Sequence, residues 1–335
     1  MIEIKDLTKY YGERKAVGPL CVSIAAGEIV GLLGLNGAGK TTTLRLLASD
    51  LLPTSGTLLV GGVDLVEEPE KVRPRIGFLP ERPPLYDEMD VREFLGFAAR
   101  LRGVPGRAIP GRVDEVIETT KLGSEAGTRI GALSHGYRQR VGIGQAIVHR
   151  PQLLLLDEPI AGLDPVQIAE MRALIRSLGG EHTILLSSHI LSEISETCDR
   201  LLVIRDGEIV ASGSEAELAT MLRGGLAVTL VLRAPAGRAE DGVAAVQKLV
   251  AALEAVTRVE PLGDGPREGA LLMRVQMERD VREHVCRAVV EGGFGVLEMT
   301  RSERELESVF MQLTGGGTPR PAGAAEDGES DKEGA

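Results

Sequence analysis

Tryptophan is missing from this 335-residue chain, and only four tyrosines and five phenylalanines are present. The core must therefore be aliphatic, built from Leu, Ile, Val and Ala. Basic residues are outnumbered, 38 Lys and Arg against 49 Asp and Glu, which leaves a formal net charge of −11. A chain so acidic offers no basic face to a phosphate backbone, which argues against nucleic acid as a partner. No apolar run approaches the roughly 18 to 20 residues that cross a bilayer. The opening MIEIKDLTKY lacks the charged start and apolar middle of a signal peptide, so a soluble, cytoplasmic chain is expected. Cys21, Cys198 and Cys286 stand far apart, which excludes a disulfide framework and zinc-ligand spacing; all three are expected to be buried as small hydrophobes.

What is present divides the chain. Its length suits at least two folded units. Up to about residue 222, apolar runs at Glu28 to Leu33, Gln152 to Leu156 and Thr183 to Leu186 alternate with amphipathic stretches, the rhythm of an α/β unit around a largely parallel, buried sheet. Between about 81 and 150 the strand signal disappears. Asp90 and Glu93 form a capping box there, and Val91, Phe94, Leu95, Ala98 and Leu101 follow at helical spacing, so a helical insertion is predicted. Asp206-Gly207 between two alternating runs predicts a hairpin over Arg200 to Gly213. From 226 to 313 the pattern changes to a small α+β module of βαββαβ order, closed by a short helix that Ser302 and Glu305 would cap. From Thr314 onward Gly, Pro and acids replace apolar residues, and a disordered acidic tail is expected over 314 to 335.

The chemistry concentrates on phosphate. Gly34 to Thr41, GLNGAGKT, fits the P-loop pattern, follows a strand and leads into a helix. Glycines let the loop bend so that N–H groups converge on phosphate oxygens; Asn36, Gly37, Ala38, Gly39 and Thr42 belong to that cradle. Lys40 supplies a point charge for the β and γ phosphates, and the Thr41 hydroxyl a ligand for Mg²⁺. This motif alone leaves ATPases, GTPases and kinases open. The run QLLLLDEP over Gln152 to Pro159 is a buried strand ending in two acids. Asp157 at its carboxyl end is placed to hold Mg²⁺ through water, and Glu158 to take a proton from the attacking water.

With Leu133 to Arg140, LSHGYRQR, ahead of these acids, the chain resembles the ATP-binding cassette, or ABC, ATPases across residues 1 to about 220. The resemblance extends to Asp164 in GLDP and His189 after LLSS. It implies that Ser134 and Gly136, with Tyr137 beside them, contact the γ phosphate bound by an opposite subunit; a helix N-terminus with free N–H groups suits an anion. It implies that Asp164 couples two active sites, that His189 orients phosphate and water, and that Tyr11, with Tyr10 as the alternate, stacks on adenine. Glu81 stands where the family usually has a glutamine that reaches Mg²⁺, and His135 and Tyr137 replace residues of the usual LSGGQ. Both departures resemble the bacterial branch that pairs with separate ABC-2-type membrane subunits, in which Glu81 to Tyr86, ERPPLY, would line the groove for a permease.

The expected function is thus an ATP- and Mg²⁺-dependent ATPase subunit. Two such subunits, a homodimer being permitted by the intact site residues, would sandwich two MgATP. They would drive a separate integral membrane permease, in the direction of export, from the cytoplasmic inner face of the cell membrane. The rivals are a non-transport ABC factor and a solitary P-loop kinase or GTPase. One cassette, no heptads and an acidic balance oppose the first, and the signature before the Asp-Glu strand opposes the second.

Overall fold

The computed structural model describes residues 2–215, 217–218, 226–235, 242–264 and 270–301. The closing helix expected over 302–313 and the tail from 314 lie outside the described residues. The chain opens with β1 (Ile2–Tyr11), β2 (Arg14–Ile24), β3 (Ile29–Leu33), α1 (Lys40–Leu47), β4 (Ser55–Val60), β5 (Val63–Asp64), a single turn α2 (Pro69–Val72) and β6 (Ile76–Leu79). There follow α3 (Val91–Leu101), α4 (Ile109–Thr119), α5 (His135–Ile147), β7 (Leu153–Leu156), α6 (Pro165–Leu178), β8 (Thr183–Ser188), a short α7 (Leu191–Ile194), β9 (Arg200–Arg205) and β10 (Glu208–Gly213).

Six strands in the order β10-β9-β3-β8-β7-β6 form the central sheet, parallel except for the β9–β10 hairpin. Every residue of β3, β7 and β8 is buried, which is why their sequences are unbroken apolar runs that do not alternate. The register sets Leu33 opposite Ser188 and Leu156 opposite Leu186, so the carboxyl ends of three strands meet at one edge. In open α/β sheets that edge is where ligands bind. In the hairpin, Asp206 and Gly207 both take positive φ, 51° and 82°, the geometry of a type I′ turn whose twist matches the strands.

Apart from β3, the strands of the first 64 residues differ from the expected parallel pattern. Strands β2-β1-β4-β5 form a separate antiparallel sheet. Its inner residues Ile2, Ile4, Leu7, Leu20, Ile24 and Leu58 share one core with Val30, Leu32, Leu44 and Leu202. The alternation of β2 also corrects the cysteine expectation. Leu20 points inward and its neighbour Cys21 is exposed, with its thiol donating to Asp6 Oδ1 at 3.3 Å. Cys198 and Cys286 are half-buried, and burial pushes the Cys198 thiol up to about 12.

The helical insertion stands where the strand signal ceases. Asp90 Oδ1 accepts from the Glu93 N–H at 2.8 Å, and Glu93 Oε2 accepts from the Asp90 N–H at 3.3 Å, which satisfies two donors at the start of α3. Helix α5 is moored at both ends of the insertion. The buried Arg140 donates to Thr120 O at 3.1 Å and to Glu170 of α6 at 2.6 Å. At its far end Arg112 donates to the Ile147 and Val148 carbonyls, which the end of the helix leaves without partners.

Residues 226–301 hold β11 (Leu226–Arg233), α8 (Gly242–Ala251), β12 (Val256–Asp264), β13 (Ala270–Met277), α9 (Arg282–Glu291) and β14 (Gly295–Arg301). The sheet order β12-β13-β11-β14 is antiparallel throughout. Val228, Leu230, Val246, Val250, Met273, Val275, Val285 and Val289 make a core of its own. Among the described residues, no helix is long and apolar enough to cross a membrane.

Candidate nucleotide site

The loop between β3 and α1 turns back on itself through Gly37 and Gly39, at φ 82° and 107°. Such values favour glycine. At Gly39 a Cβ would also sit 2.8 Å from the Ala16 carbonyl. The loop delivers Lys40 to the first position of α1, where only 6% of it is exposed. Its Nζ donates to Gly34 O at 2.8 Å and lies 3.2 Å from Glu158 Oε1. The other Glu158 oxygen, Oε2, is 3.0 Å from His189 Nδ1. Glu158 is thereby clamped by a P-loop cation from β3–α1 and an imidazole from the end of β8. Its own backbone sits at φ 48°, a conformation that costs a non-glycine residue on the order of 1 kcal/mol and that tends to mark functional positions.

Asp157, one residue earlier, is 1% exposed. Its Oδ1 accepts from Ser187 Oγ at 2.7 Å and from Thr41 Oγ1 at 3.3 Å. Its Oδ2 is buried without a hydrogen-bond partner among the described residues. Burial raises the pKa of Asp157, the Ser187 and Thr41 hydroxyls oppose the rise, and the charges of Glu158 and Glu81 add to it. The buried, unpartnered Asp157 Oδ2 and the Thr41 hydroxyl are hard oxygens of the kind that fits Mg²⁺, although among the described residues no three acidic, His or Cys side chains converge on one metal position.

Lys40, Thr41, Glu158 and His189 line a cleft of ≈ 860 Å³ together with Tyr11, Asn36, Gly37, Gly39, Thr42 and Glu81. Ala38 is buried behind the loop, 8% exposed. Tyr11, 48% exposed, reaches the cleft, whereas Tyr10 is not among the lining residues. A second cavity of ≈ 730 Å³ adjoins the first at Thr41 and Glu81; Asp157, Phe78, Pro80 and Arg82 line it as well.

The signature residues are elsewhere. Ser134 caps α5 by accepting from the Tyr137 N–H, and Asp164 caps α6 by accepting from the Gln167 N–H at 2.9 Å. Gly136 lies against Gln167, whose Oε1 would be 2.7 Å from a Cβ at that position. The Tyr137 side chain packs on the core. None of Ser134, Gly136, Tyr137 and Asp164 lines the cleft of their own chain. The sequence reading overlooked Ser187, which bonds Asp157 and accepts from the Glu158 N–H at 2.9 Å; its sole signal was a polar residue ending a buried apolar strand. It also overlooked Arg14, Lys15 and Asp206 on the cleft wall, which come from hairpin turns with no phosphate pattern.

A parallel sheet with a lysine-bearing phosphate loop and an Asp-Glu pair at its carboxyl edge defines a P-loop nucleoside triphosphatase. Residues 17–161 match the ABC transporter family, and the chain belongs to that family as an ATP-binding subunit with ATPase activity. It is 36% identical over 323 residues to the bacitracin transport ATP-binding protein BcrA of Bacillus licheniformis, covering 95% of this chain and 98% of the relative. It is 33% identical to the daunorubicin resistance ATP-binding protein DrrA3 of Streptomyces coeruleorubidus, covering 94% and 96%. A bacterial ABC transporter cassette solved as a dimer superposes with a TM-score of 0.58 at 25% identity, covering 64% of this chain and 98% of that one.

Proposed function

We propose that two copies of this chain close around two MgATP and drive a separate membrane permease of the ABC-2 type in export. The observation that carries this reading is the divided site: Lys40, Thr41, Glu158 and His189 share one cleft, while Ser134, Gly136 and Asp164 of the same chain stand outside it. A second copy could supply the missing helix N-terminus, whose dipole and free N–H groups favour an anion. The names of the two relatives, bacitracin transport and daunorubicin resistance, support an antibiotic-like cargo, selected by the permease. The cavity at Phe78, Pro80 and Arg82 is the proposed seat of a permease segment, since it touches the site through Thr41, Glu81 and Asp157.

In this reading an incoming triphosphate competes for Lys40, which now divides its Nζ between Gly34 O and Glu158 Oε1. As Lys40 turns to phosphate, Glu158 Oε1 becomes free to accept a proton from the attacking water, while His189 keeps hold of Oε2. Thr41, Asp157 and Glu81 would hold Mg²⁺, which would supply charge neutralisation at the phosphates. Tyr11 would stack on the base. Because closed and open dimers differ in affinity for ATP, binding and hydrolysis can shift the permease between states.

Glu158→Gln tests this. Hydrolysis is expected to fall about 10² to 10⁴-fold with MgATP binding retained, and light scattering is expected to record a dimer that appears only with MgATP. A strictly monomeric variant at saturating MgATP would overturn the sandwich.

A further inference from the structure

The signature helix is fastened to the nucleotide cleft of its own chain by a side chain that the phosphate chemistry does not require. His135, the first residue of α5, has its Nε2 3.1 Å from the Ala161 carbonyl. A carbonyl only accepts, so Nε2 carries the proton and donates. Ala161 lines the cleft that holds Lys40 and Glu158, and its N–H donates to the Glu158 carbonyl at 3.2 Å. Two consecutive hydrogen bonds therefore run from Glu158 through Ala161 to His135. Beside this path Gly136 abuts Gln167, whose backbone is capped by Asp164. The 161–167 segment thus meets the start of α5 at both of its ends, Ala161 and Gln167. His135 itself is exposed and does not line its own chain's cleft, so neither core packing nor local ATP contact explains the bond.

We infer that His135 is a positioning residue that couples the two nucleotide sites of the dimer: it transmits the state of Glu158 and Ala161 in one site to the Ser134–Gly136 helix start that serves the other. The inference rests on the two-copy reading above. The physical requirement for coupling is a connected element whose arrangement both sites bias, and the Glu158–Ala161–His135 path is such a connection. An imidazole donor at this position can make the link; a glycine cannot. The residue acts through Ala161 and the helix start, not on the reacting atoms.

The experiment compares wild type with His135→Phe, which keeps a ring without a donor, and His135→Gln, which restores an N–H donor. Each is also made in the Glu158→Gln background to read MgATP-dependent dimerisation by light scattering. His135→Phe is expected to dimerise, to bind MgATP as wild type does in the monomer, and to lose about threefold to tenfold in kcat, the scale of one hydrogen bond. Its Hill coefficient for ATP is expected to fall from near the two-site ceiling of about two towards one. His135→Gln is expected to recover both parameters. If His135→Phe dimerises yet shares the wild-type kcat and Hill coefficient, or if His135→Gln is as impaired as His135→Phe, the coupling role is overturned while the dimer stands. If Glu158→Gln protein with His135 intact never dimerises with MgATP, the two-copy reading fails first and this inference with it.

Discussion

Glu81 is a residue on which opposing charges act. It borders both cavities, and its charge is felt at the buried Asp157. Phosphate oxygens would repel it at roughly 4 kcal/mol per unit charge at 4 Å and an effective dielectric near 20, while a divalent cation would attract it about twice as strongly at the same distance. As a metal ligand it gains more than it loses. Glu81→Gln is therefore expected to raise the Mg²⁺ concentration for half-maximal ATPase activity; superimposable titrations of the two proteins would remove Glu81 from the metal set. His149 gives a different prediction. Its Nε2 lies 3.0 Å from Ile76 O, its Nδ1 is buried without a partner among the described residues, and burial with nearby Arg102 lowers its pKa from 6.5 to about 4. The unfolded chain then binds the proton more readily than the native one between those values. Stability from the neutral imidazole is full above the unfolded value and is lost as pH falls from 6.5 through about 4, on the order of 2 kcal/mol for a partly buried group. Gln keeps a donor for Ile76 without titrating, so His149→Gln is expected to flatten the drop in melting temperature between pH 7 and pH 4.5. An equal drop in both proteins would place the acid sensitivity elsewhere.

At the scale of elements, the site depends on how tightly β6 lies against α5. Gly77 in β6 would place a Cβ 2.2 Å from the Ala146 carbonyl, a contact with helix backbone that no rotamer change relieves. Gly77→Ala is expected to cost about 1 to 3 kcal/mol, read as a melting temperature lower by about 2 to 4 °C per kcal/mol. It is expected to cut turnover as well, because β6 leads into Glu81 and its Leu79 carbonyl accepts from the Asp157 N–H at 2.8 Å. An unshifted melt would show that β6 and α5 can separate freely. The elements themselves were largely legible. Asp90 and Glu93 announced α3, Asp206-Gly207 announced the β9–β10 hairpin, and the unbroken apolar runs announced β3, β7 and β8. The antiparallel β2-β1-β4-β5 sheet was not legible, because its strands pair across as many as 58 residues, as Ile2 and Val60 do, and share their inner face with a sheet of a different kind. Cys21 was misjudged for a related reason: its exposure follows from the pleat phase of β2, not from residue type.

For the whole molecule, the distribution of cores is the governing fact. Two clusters fill residues 2–218, and a third, with Val228, Met273 and Val285, is confined to 226–301. Units with separate cores tend to unfold separately. Scanning calorimetry of the full chain is expected to resolve two transitions, of which only the cassette transition moves up when MgATP is added, because a ligand stabilises the unit that binds it. A single transition shifted as a whole would mean that the two units are cooperative.

The sequence by itself determined the parts that act through local backbone: the glycines that let the phosphate loop turn, the strand that ends in Asp157 and Glu158, and the Asp90–Glu93 capping box that starts the helical insertion. Such features depend on φ, on spacing and on chain direction, all of which are written in consecutive residues. Only the tertiary structure decided which side chains meet: Lys40 and His189 on opposite oxygens of Glu158, Ser187 under Asp157, Tyr11 rather than Tyr10 at the cleft, and His135 on Ala161. Those pairings join residues as many as 118 positions apart, as Lys40 and Glu158 are. They exist because the parallel register brings separate carboxyl ends to one edge, a property of strand order that no single segment carries.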